Sequence, residues 1–344
     1  MPKRAQPRSR LRPSELGGFL EAVYQLDADE PTWLAEVMAA SRRVWARDGW
    51  IHGVVYDASD VAQFRTTTQH VIDAPDAALG LLAHGLELFT PGFVVRSFRV
   101  AVASLARALA QPELEPVYAG MAALGYPDTM GLNGVDPSGF GVFIGLWGAE
   151  MTAPAGAELA VYRRMAHHLA AAHRYRRRIH GGEADRAAFD PTRGAEAILD
   201  AQGRVLHAEG PAQDKRSLAA LIETSHARDL ARTSRAGDRD PLGRWPALTS
   251  ARWTLVDSYE RSGQRYIIAR ENQACRAGLE ALSDRERQVV AYLAIGQSTK
   301  ETAYALGISD ATVRVLLARA AGKLGVKSRR GLLAHPEVRP LIPQ

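Results

Sequence analysis

A chain of 344 residues, 46% hydrophobic and 24% charged, is too long for one ordinary domain and too apolar to be disordered or fibrous. No run of about 18 apolar residues occurs, and the basic start Met1–Arg4 has no apolar stretch behind it, so neither a membrane span nor a secretory leader is expected. The single cysteine, Cys275, excludes a disulfide framework and a cysteine-built zinc site, and a reducing, cytoplasmic setting is expected.

Residues 1–15 are rich in Arg and Pro and read as a basic disordered tail. Beyond Leu16 the spacing is helical: Phe19, Val23 and Leu26 share one face, and Trp33, Val37, Ala40 and Val44 share the face of a second helix opened by Pro31. Trp50–Tyr56 reads as a strand, and helices are expected near 78–89 and 94–110. Asp128–Gly134 and Phe140–Trp147 read as strands joined by the turn Asp136-Pro137-Ser138-Gly139. Helices around a mostly antiparallel sheet make an α+β domain over residues 16–156.

A connecting helix is expected over residues 157–180, its stripe formed by Tyr162, Met165, Leu169 and Ala172. Packing on its own domain and pairing with a second copy are both open. His167, His168 and His173 lie on this helix, but no carboxylate or cysteine completes a ligand set, so no metal and no cofactor are expected. Residues 181–190 form a linker at Gly181-Gly182. Residues 191–272 form a smaller α+β unit: strands at 197–200 and 204–207, a helix near 218–230, and a hairpin of 252–259 and 264–270 around Ser262-Gly263.

The order hairpin, helix, hairpin, with the wording AILDAQGRVL and WTLVDSYERSGQRYIIAR, resembles an abbreviated PAS-like domain. Residues 16–156, continued by the following helix, resemble a GAF-like sensor in the order of their elements. The GAF-like resemblance implies a mostly apolar pocket on the concave face of the sheet, lined from Trp50–Tyr56, Met130–Asn133 and Phe140–Trp147. The candidate ligand-binding residues are Trp50, Tyr56, Phe143 and Trp147. Gly141 and Gly145 leave gaps on the face of Phe143 and Trp147, which either admit a ligand or receive side chains from a neighbour.

The last sixty residues differ in kind. Between Ser283 and Arg330 there are nine basic and four acidic residues, an excess equal to the net +5 of the whole chain. A basic segment on a neutral body points to nucleic acid. Ser283, Ser298 and Ser309 each stand before a helical stretch, and Gly296, Gly307 and Gly325 end one. Two helices joined at Gly307-Ile308-Ser309 form a helix-turn-helix. On a helical wheel, Val313, Leu317, Ala320 and Leu324 make the buried stripe. Ala311, Val315, Ala318 and Gly322 form a ridge of small or compact residues opposite, with Arg314 on one flank and Thr312, Arg319 and Lys323 on the other. Such a ridge lets a helix enter a major groove roughly 12 Å wide while the flanking bases reach phosphates and base edges.

LSDRERQVVAYLAIGQSTKETAYALGISDATVRVLLARAAGKLGVKSRRGLLA closely resembles the LuxR-type DNA-binding domain, an all-α four-helix module, over residues 278–336. The resemblance rests on Arg285-Glu286, Gly296, Ser298 with Lys300-Glu301, Gly307-Ile308-Ser309, Thr312-Val313-Arg314 and Lys323-Leu324-Gly325-Val326 with Ser328-Arg329. It implies that Thr299, Lys300 and Thr312 bind phosphates and that Arg314, Val315 and Ala318 face base edges. Ser298, Ser309, Arg319 and Lys323 complete the DNA-facing set. Leu316 stands where the family usually has a polar residue, and Ala318 where a base-reading Lys, Arg or Asn is common. Glu286 is expected to be structural, an ion-pair partner for a basic residue such as Arg329.

The helix-rich start lacks the order of a receiver domain, and no G-x-x-x-x-G-K-[ST] occurs. The spaced Trp, Tyr and Asp-Pro positions of acyl-homoserine-lactone receptors are not reproduced, and no nucleophile stands beside a positioned base, so catalysis is not expected. The resemblance implies a sequence-specific transcriptional regulator, a homodimer on double-stranded DNA that works with RNA polymerase and whose front domains sense a small molecule or a partner. In the alternative, those domains serve only dimerisation or protein contacts. A sensor enzyme with a vestigial helix-turn-helix and a sigma-factor region are further readings, for which the catalytic constellation and the core-binding helical domain are missing from the sequence.

Overall fold

The computed structural model describes residues 11–25, 28–45, 48–98, 102–105, 112–151, 153–180, 195–232, 253–259, 265–271, 279, 281–336 and 338. The sheet of the first domain consists of β1 (Trp50–Asp57), β2 (Arg65–Ile72), β3 (Val102–Leu105), β4 (Asp128–Val135) and β5 (Phe140–Gly148), antiparallel in the order β2-β1-β5-β4-β3. Side chains alternate across it. Ile51, Val55, Leu132, Val142, Ile144 and Leu146 are buried on one face, in a core shared with α1 (Pro13–Val23), α2 (Glu30–Trp45) and α6 (Gly156–His180). Trp50, Val54, Tyr56 and Trp147 are buried on the other, under α3 (Asp76–Glu87), α4 (Pro91–Phe98) and α5 (Glu115–Ala123). Covering on both faces explains why β1 and β5 read as mostly apolar runs.

The stripe expected on the connecting helix, Tyr162, Met165, Leu169 and Ala172, is buried in that first core, so it faces its own domain rather than standing free for a second copy. The approach to the sheet is close. A Cβ on Gly134 of β4 would lie 2.7 Å from the Ala166 carbonyl oxygen of α6, so a larger residue there would push the helix off.

Three elements depart from the sequence reading. The helix expected over 94–110 stops at Phe98, and Val102–Leu105 instead pairs with Asn133–Met130 of β4. A four-residue edge strand is too short to show its own period, and the sheet's open edge overrides the helical spacing. β2 was not anticipated, because Arg65-Thr66-Thr67-Thr68-Gln69-His70 lacks apolar alternation; it pairs with β1 from Ile51↔Ile72 to Asp57↔Arg65. Helix α5 was also missed, although Pro116 in its first turn is a start signal. Helix α1 begins at Pro13, inside the expected tail; residues 1–10 lie outside the described residues.

The second unit contains β6 (Ala197–Asp200), β7 (Val205–Ala208), α7 (Lys215–Arg232), β8 (Trp253–Tyr259) and β9 (Arg265–Glu271), with sheet order β7-β6-β9-β8. Ala197, Leu199, Ile267 and Ala269 belong to the same buried cluster as α1, α2 and α6, so one continuous core links the two α+β units. The linker at 181–190, the turn at Ser262-Gly263 and Cys275 lie outside the described residues. The C-terminal region is all-α: α8 (Asp284–Ala294), α9 (Thr299–Leu306), α10 (Asp310–Lys323) and α11 (Arg329–Ala334). Among the described residues, no single helix is long and apolar enough to cross a membrane.

Candidate DNA-binding surface and sensor cavity

Serine caps set the geometry of the C-terminal helices. Ser283 Oγ accepts the Glu286 N–H while Glu286 Oε2 accepts the Ser283 N–H at 2.8 Å, a reciprocal capping box at the start of α8. Ser298 and Glu301 repeat it at α9, with distances of 2.7 and 3.2 Å. Gly307 ends α9 at φ +61°, a left-handed conformation that glycine adopts without the Cβ clash, and this turns the chain into α10. Ser309 Oγ then accepts the Thr312 N–H at 3.0 Å. Ser298 and Ser309 therefore spend side-chain acceptor capacity on helix starts.

Helix α10 presents the surface that the wheel expects. Val313 and Ala320 are buried, and Leu317 and Leu324 are half-buried against the neighbouring helices. Ala311, Thr312, Arg314, Val315, Ala318, Arg319, Gly322 and Lys323 line the opposite side, all of them at least partly exposed. Val315 is a large apolar residue left 49% exposed at the centre of that ridge. Lys300 is exposed at the start of α9, and Thr299 is half-exposed.

Two of the basic residues are already engaged. Arg314 Nη2 lies 2.6 Å from Asp310 Oδ2, one turn back, with most of its side chain in solvent. Lys323 Nζ lies 2.7 Å from Glu286 Oε2, whose side chain is buried. The ion pair of Glu286 is thus with Lys323, not with Arg329, whose Nη2 instead donates to the Gln297 carbonyl at 3.1 Å. The reason is helix direction: the C-terminal turn of α10 ends beside the N-terminal turn of α8, and a cation there also complements the negative end of the α10 dipole. Burial pushes the Glu286 carboxyl up, but hydrogen bonds from Lys323 and Ser283 outweigh it and hold the group below its usual range.

The helices α8 and α9 dock on α6. His168 is held at both nitrogens: Nδ1 lies 2.9 Å from the Tyr24 hydroxyl at the end of α1, and Nε2 lies 2.7 Å from the Tyr304 hydroxyl of α9. Arg163 pairs with Glu301 at 3.1 Å, and Arg174 donates to the Tyr292 hydroxyl at 3.0 Å. Burial pushes His167 down to about 4 and His168 and His173 to about 3, so all three are neutral structural imidazoles. Because the dock uses α8 and α9, the ridge of α10 stays exposed.

The other face of the sheet encloses a cavity of about 120 Å³ beneath α3, α4 and α5. Of the four candidate ligand-binding residues, Phe143 and Trp147 line it and Trp50 and Tyr56 do not. Trp50 stacks behind Trp147 with ring centroids 5.5 Å apart. The Tyr56 hydroxyl lies 2.8 Å from the Phe98 carbonyl and 2.7 Å from Asn133 Oδ1, tying the end of α4 to the sheet. The glycine gaps receive side chains of the protein itself: a Cβ on Gly145 would meet the His52 ring at 2.3 Å, and one on Gly141 would meet the Tyr56 hydroxyl at 2.3 Å. His52 lies within the expected lining stretch Trp50–Tyr56, whereas Thr129 and the helical wall Phe89, Phe93 and Phe98 fall outside the expected stretches; the recurrence of Phe across 89–98 is the available signal. His52 Nδ1 accepts the Trp147 indole N–H at 3.0 Å, and burial pushes this histidine down to about 4.

Serine-capped helices around a left-handed glycine, with an exposed basic ridge on the second, define a helix-turn-helix of a DNA-binding regulator. Residues 280–335 match the family described as GerE, bacterial regulatory proteins, luxR family, so the C-terminal domain is a luxR-family domain. No curated protein matches the chain. Among solved structures, similarity is found to Escherichia coli SdiA (10% identity, 96% of this chain and 98% of that one, TM-score 0.34). It is also found to SdiA in complex with octanoyl-rac-glycerol (11% identity, 94% of each chain, TM-score 0.31).

Proposed function

We propose that this luxR-family DNA-binding regulator is a non-enzymatic, cytoplasmic transcription factor that reads a specific operator with α10 and is controlled by its α+β domains. The observation that carries the reading is the exposed ridge Ala311, Val315, Ala318 and Gly322 flanked by basic side chains, on a helix whose opposite stripe is buried. In this reading Thr299, Lys300, Thr312, Arg319 and Lys323 contact phosphates and sugars, Arg314, Val315 and Ala318 face base edges, and Ser298 and Ser309 position the backbone amides of their helix starts. Residues 16–156 act as a GAF-like sensor through the cavity, residues 157–180 as the connector, 181–190 as a linker and 191–272 as a PAS-like unit. The DNA-binding domain at 278–336 pairs with that of a second copy on DNA and presents the regulator to RNA polymerase.

The test is selection of bound sequences from a random DNA pool, followed by titration at several salt concentrations. A single enriched sequence and a linear fall of log K with log salt are expected. Equal affinity for selected and random DNA would overturn the reading.

A further inference from the structure

We infer that the cavity under α3, α4 and α5 takes a compact, uncharged aromatic molecule of about single-ring size. This rests on the reading of residues 16–156 as a sensor and names the ligand class it responds to. Size comes first. An apolar protein cavity of roughly 150 Å³ holds benzene, and this one is about 120 Å³. A long aliphatic chain exceeds that volume.

The walls fix the shape of the guest. Phe89, Phe93 and Phe98 of the helical wall meet at tilted or edge geometries, with ring centroids from 4.3 to 5.9 Å apart, and Phe98 meets Phe143 of the sheet edge-on at 5.9 Å. A flat ring continues such a set with the same edge-to-face contacts, whereas a branched aliphatic group does not.

Charge is selected against. None of the side chains lining the cavity is Lys, Arg, Asp or Glu; its two histidines are His52, which is neutral, and the half-exposed His70. A carboxylate or ammonium would therefore be desolvated without a permanently charged partner. Besides the two histidines, Gln69, Ser97, Tyr118 and Thr129 bring polar side chains to the lining. Thr129 Oγ1 donates its hydrogen to the Leu146 carbonyl at 3.0 Å, which leaves that oxygen an acceptor.

The experiment uses the full chain and reads melting temperature and isothermal titration with three probes: p-cresol, benzoate and 1-decanol. p-Cresol is expected to bind one to one and to raise the melting temperature by about 2 °C at ten times its dissociation constant, with no shift from benzoate. Two cavity-filling variants, Leu86→Trp and Val117→Phe, are expected to abolish the p-cresol shift; two are used because either one alone risks misfolding. Stabilisation by benzoate or decanol but not by p-cresol would overturn the ligand class and leave the sensor reading standing. Binding of p-cresol that survives both variants would place it outside the cavity and overturn the inference. If no probe binds, the class is overturned, and operator affinity of the filled variants then decides the sensor reading: a change supports it and no change removes it.

Discussion

At the scale of single residues, the structure separates basic side chains that look alike in the sequence. Arg314 stands on the flank of the ridge, tethered to its own helix by Asp310. Arg314→Ala is expected to weaken binding to the selected site by roughly 1–3 kcal/mol and to relax preference at one base position, read by competition with single-base variants of the site. Lys300, exposed at the start of α9, is expected to act on all sequences alike. Lys300→Ala should lower affinity for random and selected DNA equally and reduce the salt slope by about one unit. Lys323 has a second task in the ion pair with Glu286. Glu286→Gln keeps the shape but removes the charge facing Lys323 and weakens the capping box. It is expected to cost about 1–3 kcal/mol of stability in a denaturant melt of the full chain. Unchanged stability would mean that the pair contributes only its exposed half.

At the scale of elements, α6 is the hinge of the fold, because one helix packs on the sheet and carries α8 and α9. Its three histidines are buried neutral, and the sign of their pH effect follows. The unfolded chain binds their protons near pH 6.5, while the folded chain resists until about pH 3–4. The unfolded state therefore holds more protons in that window, and stability is full above pH 6.5 and falls as pH drops toward 4. The slope is at most about 1.4 kcal/mol per pH unit for each histidine. His168 faces Tyr24, Tyr304, His167 and Arg164. His168→Gln retains hydrogen bonding without the titrating ring, and melts between pH 7 and 4 are expected to show a shallower slope. An identical slope would mean that His168 is protonated in the folded protein. Tyr304→Phe, which removes the hydroxyl from Nε2, should loosen the dock and raise hydrogen exchange in α9 more than in β1.

At the scale of the molecule, the path from cavity to DNA is short in elements. The cavity lies on one face of the β2-β1-β5-β4-β3 sheet, α6 lies on the other, and the helix-turn-helix sits on α6. A guest that shifts Phe143 or Trp147 presses on strands whose opposite faces pack the helix that carries the dock. The exposed α10 makes few base contacts alone, so paired half-sites are expected, an inverted repeat with centres about 10–10.5 base pairs apart. Footprints at saturating protein should cover both halves. Protection of one half only would count against a dimer on DNA.

Features set by near neighbours along the chain need no tertiary contact to be read. The serine caps, the stopping glycines and the 3.6-residue stripe of Val313, Leu317, Ala320 and Leu324 are set within a few residues of one another, so the helix-turn-helix and its exposed ridge are legible in the chain alone. So are β1 and β5, whose apolar runs are long, and β4, which the turn Asp136–Gly139 sets beside β5. What the sequence could not decide depends on neighbours distant along the chain. β2 and β3 are strands because β1 and β4 offer them free edges, not because of their own pattern. The glycine gaps are visible, but only the register His52↔Gly145 decides that a histidine fills one of them. Likewise Glu286 needs a cation, and the packing of α10 on α8 selects Lys323 over Arg329. Pairing partners, the filling of gaps and the docking of α9 on α6 are long-range choices, fixed by close packing, which a linear pattern does not encode.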